Sequence, residues 1–179
     1  QMVNKKVTAV VLTYTGQGSV IPPILTGAGI PYVGLTGAST EELITPGVFI
    51  LTGGFPSTLA GYAQHAKENG VEKFALIATE APAALQAAEG IGGAVFGNAG
   101  VGYEVIPVPP GTPDMTSQMQ AAVQGGADAI GVVGDLTFCA AWLQAYQTLG
   151  LSQDKYLLST CIDPSNVEAF GSVIEGSVM

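Results

Sequence analysis

Short apolar, β-branched runs bounded by Gly, Pro and Asp alternate along the chain with longer alanine-rich stretches. Parallel βαβ units produce this pattern, because strands buried on both faces read as continuous apolar runs and their crossovers are helical. The runs predict strands over residues 7–13, 32–34, 48–51, 74–78, 104–108, 129–133, 155–159 and 176–179. The longer stretches predict helices over 19–26, 57–69, 81–97, 115–125, 137–149 and 164–170. Several boundaries carry physical markers. Asp114 precedes an apolar-periodic run and reads as an N-cap, its side chain accepting an N–H that the first turn leaves open. Asp163-Pro164 reads as an N-cap followed by proline at the first helical position, where the missing N–H costs nothing. Gly70, Gly125-Gly126 and Gly150 stand where helices must stop, in the left-handed position that glycine adopts without strain.

From residue 71 the strand–helix units follow one another regularly, which predicts a Rossmann-like parallel sheet flanked by helices over residues 57–179. Residues 1–51 form a looser α/β piece with fewer elements, too small to close its own sheet. Gly53, Gly54 and Pro56 punctuate residues 52–56, which read as a hinge between the two.

Composition narrows the function. The chain has 179 residues and is 47% hydrophobic, enough to bury a core and incompatible with disorder. No apolar stretch approaches the roughly 18 residues of a membrane helix. Residues 1–6 run almost at once into a strand without a basic-then-apolar leader, so a secreted protein is expected here in mature or trimmed form. Five basic residues face fourteen acidic ones, for a net charge of −9. All five are lysines, so neither the cationic cluster that nucleic acid needs nor the bidentate arginine that grips phosphate is present. His65 is the only histidine and falls on the polar side of a predicted helix, where a surface role is expected. One histidine and two distant cysteines match no standard zinc spacing, and a hydrolytic triad would have to run through His65 alone. No metal, cofactor or enzymatic activity is expected.

Gly29-Ile30-Pro31-Tyr32-Val33-Gly34 and Gly37-Ala38-Ser39-Thr40-Glu41-Glu42-Leu43, in their order after the strand at residues 7–12 and before that at 71–77, resemble the periplasmic binding protein type 1 family, in its branched-chain amino-acid-binding branch. The strand Val7-Thr8-Ala9-Val10-Val11-Leu12 with the following Gly16-Gln17-Gly18-Ser19 looks like the family's strand and serine-containing loop. Gly29-Ile30-Pro31-Tyr32-Val33-Gly34 and Gly37-Ala38-Ser39-Thr40-Glu41-Glu42-Leu43 are similar to its next strand and loop. Val71-Glu72-Lys73-Phe74-Ala75-Leu76-Ile77 is similar to the first strand of its second lobe. Pro113-Asp114-Met115-Thr116, followed by Gly125-Gly126-Ala127-Asp128-Ala129-Ile130, matches a further helix–strand unit. The resemblance implies two doubly wound lobes with ligand between them. Here it covers part of an N-terminal lobe, to about Leu51, and a near-complete C-terminal lobe. It implies an extracytoplasmic receptor, in the periplasm or lipid-anchored at the cell surface, that hands an amino acid or similar carboxylate to the membrane subunits of an ABC importer. A clamshell lacking half of one wall is expected to bind solute weakly. The edge and apolar surface it leaves open are expected to favour a homodimer.

Ligands of open α/β sheets lie beyond the carboxyl ends of the strands. Those ends place loops at residues 16–19, 37–40, 79–83, 134–136 and 160–162. From them Gly18, Ser19, Ala38, Ser39, Thr40, Ala83, Asp135, Leu136 and Cys161 are the expected ligand contacts, and the resemblance assigns the first two loops to an α-carboxylate. Each polar candidate admits a plainer reading: Ser19 as an N-cap, Ser39 and Thr40 as a local cap before Glu42, Asp135 as the cap of the following helix. Where amino-acid binders carry a tyrosine after the first strand of the second lobe, this chain has Ala81-Pro82-Ala83-Ala84, which widens the ligand class. Cys139 and Cys161 are an even pair in an extracytoplasmic setting and are expected to form a disulfide, the alternative being two buried thiols. Phe138 and Trp142 read as packing residues. A nucleotide- or NAD-using enzyme remains an alternative, but Ile21 replaces the third glycine of G-x-G-x-x-G. A sensory ligand-binding domain of the same fold is another.

Overall fold

The computed structural model describes residues 2–13, 15, 17–37 and 39–179, and the side chains among them except that of Ala83. The elements run β1 (Val10–Leu12), α1 (Ile21–Gly27), β2 (Tyr32–Gly34), α2 (Thr40–Ile44), β3 (Val48–Ile50) and α3 (Gly54–Glu68). They continue with β4 (Lys73–Thr79), α4 (Pro82–Gln86), a π-helical turn (Ala87–Gly92), α5 (Gly93–Ala99), β5 (Gly102–Val108), α6 (Thr116–Gln124) and β6 (Ala129–Val133). The last elements are α7 (Leu136–Leu149), β7 (Asp154–Leu157), a 3-10 turn (Ser159–Cys161) and α8 (Pro164–Ile174). Two compact units result, Gln1–Thr58 and Leu59–Met179.

In the first unit the strands lie in the order β1-β2-β3, all parallel. Both crossovers step in the same direction across the sheet. Because parallel crossovers are right-handed, α1 and α2 fall on one face. Val10, Tyr32, Leu25 and Ile30 form the buried core on that face, with Leu12, Ile21, Val48 and Ile50 against it. The strand residues between them, Val11, Val33 and Phe49, are paired in register and point the other way. Val11 is 71% exposed and Phe49 58%.

The second unit is ordered β5-β4-β6-β7, again parallel. The chain steps from β4 to β5, crosses back to β6 and goes on to β7, so right-handed crossovers cover both faces with helices. On one face α6 and α7 pack Met119, Trp142 and Leu143 against Ala75, Ile77, Ile130 and Val132. On the other, Phe74 stands among the rings of Tyr62, Phe96, Tyr103 and Tyr156. Gly131 makes room for it, since a Cβ there would lie 2.8 Å from the Phe74 ring. In α3 the buried residues Leu59, Tyr62, Ala63 and Ala66 follow the three-four spacing of an amphipathic helix.

Several sequence expectations shift. Residues 54–56, expected in the hinge, are the first residues of α3. The short helix α2 stands where only a local cap was foreseen. The helix over 81–97 is broken by a π-helical turn, and the strand over 176–179 shrinks to a single bridge between Val178 and Tyr156. Asp114 stands one residue before the cap position, and its carboxylate accepts from Thr116 N at 2.8 Å. Asp163 caps α8 as expected, accepting from Ser165 N at 2.9 Å, and Gly70, Gly126 and Gly150 take positive φ after their helices. His65 is half-buried, its Nδ1 2.9 Å from Tyr156 Oη, rather than on an open polar face.

Candidate ligand-binding site

In the second unit β4 and β6 are neighbours, with Ala78 paired to Val133 at their carboxyl ends. The loops that follow leave side by side, yet their crossovers run to opposite edges of the sheet. Such a switch point opens a crevice because the two helices depart to opposite faces. It is flanked by residues 79–83 and 134–136. Asp135 caps α7 there: its Oδ1 accepts from Phe138 N at 2.9 Å and from Thr137 Oγ1 at 2.7 Å. The Phe138 backbone bond first, then the Thr137 hydroxyl, hold its pKa below the ordinary aspartate value, so it is ionised at neutral pH. Asp135 is exposed and Leu136 is 37% exposed, so both are open to solvent beside the crevice. Ala83 lies on α4, which starts on the other side of the crevice; its side chain is outside the described set.

Cys161, expected as a ligand contact, lies in the core and not on the open surface of this loop. It is fully buried and joined by a disulfide to Cys139, with Cα atoms 5.2 Å apart. The buried Asn166 fixes the same turn, its Nδ2 donating to Cys161 O at 3.1 Å. Phe138 and Trp142 are core residues, Trp142 stacking on Tyr146. A hollow of about 460 Å³ lined by Tyr146, Gln153, Lys155 and Ser172 lies at the amino end of β7, the opposite edge from these loops.

In the first unit the loops after β1 and β2 converge. Ser39 is the N-cap of α2, with Glu42 N donating to its Oγ at 3.2 Å and its own N donating to Glu42 Oε2 at 3.1 Å. This reciprocal capping box satisfies two open donors at once. Ser39 is 6% exposed and Glu42 1%. Gly18 packs directly on the pair: a Cβ there would lie 2.8 Å from Ser39 Oγ and closer still to the Glu42 carboxylate. The Tyr32 side chain is fully buried in the core of the same unit. Burial first, then the Glu42 charge, push its hydroxyl above the ordinary tyrosine pKa. Ser19 is exposed and does not cap α1, whose cap is Val20 without a side-chain bond. Thr40 is exposed on the first turn of α2. Ala38 and Gly16 lie outside the described residues. The local cap before Glu42 was legible in the sequence, and the packing of Gly18 against it was not, because nothing in the chain signals that residues 24 apart meet.

Among the described residues no three His, Cys, Asp or Glu side chains gather to hold a metal ion. None of the described helices is long and apolar enough to cross a membrane. The fold is shared with solved structures. A leucine-binding protein of Thermotoga maritima superposes with a TM-score of 0.76 at 22% identity, over 97% of this chain and 50% of that one. A branched-chain amino acid ABC transporter protein of Thermus thermophilus with bound valine gives 0.83 at 18% identity, over 97% and 47%. A solute-binding protein of R. palustris in complex with 4-hydroxybenzoate gives 0.73 at 21% identity, over 95% and 48%. The chain thus spans about half the length of these structures. No curated protein matches it. The sequence model of the periplasmic binding protein family matches residues 1–179, the whole chain, and the protein belongs to that family.

Proposed function

We propose that this chain is part of an extracytoplasmic receptor that binds a small carboxylate solute, an amino acid or a close relative, for an ABC importer. The switch point between β4 and β6 carries the reading, because it sets an ionised, exposed Asp135 beside a crevice of the kind that holds ligands in open α/β sheets. Asp135 and Leu136 line that side with Ala83 across from them. On the first unit, Gly18, Ser19, Ser39 and Thr40 form a second candidate surface, whose exposed Ser19 and Thr40 hydroxyls suit a carboxylate, as the Asp135 charge suits an ammonium. Similar structures hold valine and 4-hydroxybenzoate, which share only a carboxylate on a small apolar body. The lobe division at residues 51 and 57 belongs to the same proposal, as does self-association through the open face of the first sheet.

Thermal-shift measurements with millimolar amino acids, aromatic acids, NAD and ATP test it. Stabilisation by one of the carboxylates, and its loss in Asp135→Ala if that solute is an amino acid, is the expected result. Stabilisation by NAD or ATP alone would overturn the carboxylate reading in favour of a nucleotide-binding protein.

A further inference from the structure

We propose that Glu42 is a positioning residue that fastens the turn after β1 to the turn after β2, so that the two loops form one surface. Its carboxylate receives Ser39 N at 3.1 Å and Ser39 Oγ at 3.3 Å, and its own N–H donates to Ser39 Oγ at 3.2 Å. The same carboxylate meets Gly18, which has no space for a Cβ. A capping box alone needs only Ser39 and Glu42. The packing of Gly18, 24 residues earlier in the chain, exceeds that local role. The Gln17 carbonyl next to Gly18 accepts from Val20 N and Ile21 N, both at 3.0 Å, and so anchors the start of α1. A push or a gap at Glu42 therefore reaches the first turn of α1 through Gly18. Only the functional meaning of this tie, as the backing of a ligand wall, rests on the receptor reading.

Amide hydrogen exchange on the 179-residue chain tests the tie without any ligand. Replacing Glu42 by alanine removes the bond to Ser39 N directly, so the informative amides are Val20 and Ile21, which donate to Gln17 O. Their exchange is expected to rise at least about tenfold in Glu42→Ala, a local opening of about 1.4 kcal/mol, while Tyr32 N and the β4 amides stay unchanged. In Glu42→Gln, which keeps an acceptor of the same shape, protection at Val20 and Ile21 should return. Gly18→Ala probes the tie from the other end and is expected to speed exchange at Ser39 N and Glu42 N. If Glu42→Ala changes only residues 39–42, Glu42 is a helix cap and nothing more. If both alanine variants deprotect the whole first unit uniformly, it is an ordinary core residue, and the proposal is overturned as well. Neither outcome touches the thermal-shift test of the receptor reading, so the two fail separately.

Discussion

Asp135 holds its place through two bonds, from Phe138 N and Thr137 Oγ1, that only its ionised form accepts well. Those bonds lower its pKa, which fixes the sign of its contribution to stability. A carboxylate with a depressed folded pKa stabilises fully above its unfolded value, about 3.9, and loses that contribution as the pH falls through the folded value. Replacement by alanine is expected to cost about 1 kcal/mol at neutral pH, the usual loss of an N-cap. Its exposed position makes the cap bonds, and not a charge pair, the source of that cost. Urea unfolding of the unsubstituted protein and of the Asp135→Ala variant, at neutral pH and well below the unfolded value, checks this. The difference between them should be present at neutral pH and fade in acid. An equal difference at both would place the effect in packing.

The corner of α7, the 3-10 turn and α8 is tied at the scale of elements. Cys139 sits in the first turn of α7 and Cys161 ends the turn after β7, 22 residues on. Closing a loop of that length restricts the unfolded chain by about 3 kcal/mol in the chain-entropy model. Asn166 and the Asp163 cap continue the same corner into α8. Reduction is expected to lower the melting temperature by several degrees. Because both sulfurs are fully buried, alkylation of the reduced protein should need denaturant or heat. Mass spectrometry of native, non-reduced protein should show two hydrogens fewer than the sequence mass; ready labelling of two free thiols would contradict the bridge.

Across the whole molecule the two units contrast through strand order alone. The reversal in β5-β4-β6-β7 sends helices to both faces, and β6 is buried throughout. The uniform order β1-β2-β3 sends both helices to one face and leaves the row Val11, Val33 and Phe49 uncovered by them. Burying a phenylalanine is worth about 1.5–3 kcal/mol, so that row favours self-association. The net charge of −9 opposes it, and salt should screen the opposition. Light scattering is expected to show dimers that strengthen with salt, and Phe49→Lys should weaken them at least about tenfold. A monomer at high concentration and high salt would remove this expectation.

The sequence alone settled the α/β class, because runs such as 74–78 and 129–133 are apolar, short and set between longer alanine-rich stretches, and because Gly70, Gly150 and Asp163-Pro164 mark ends by backbone chemistry that acts within a few residues. It also carried the family, through motifs whose order is itself a property of the chain. Its named polar candidates fared differently: Ser39 and Asp135 are caps by local hydrogen bonding, as their plainer readings said, while Ser19 is no cap at all. What the linear chain did not carry depends on distant residues meeting. Gly18 is small because Glu42 fills the space a side chain would need, and Gly131 because Phe74 does. The uncovered face of the first sheet and the crevice of the second follow from which strands become neighbours, and only tertiary pairing decides that.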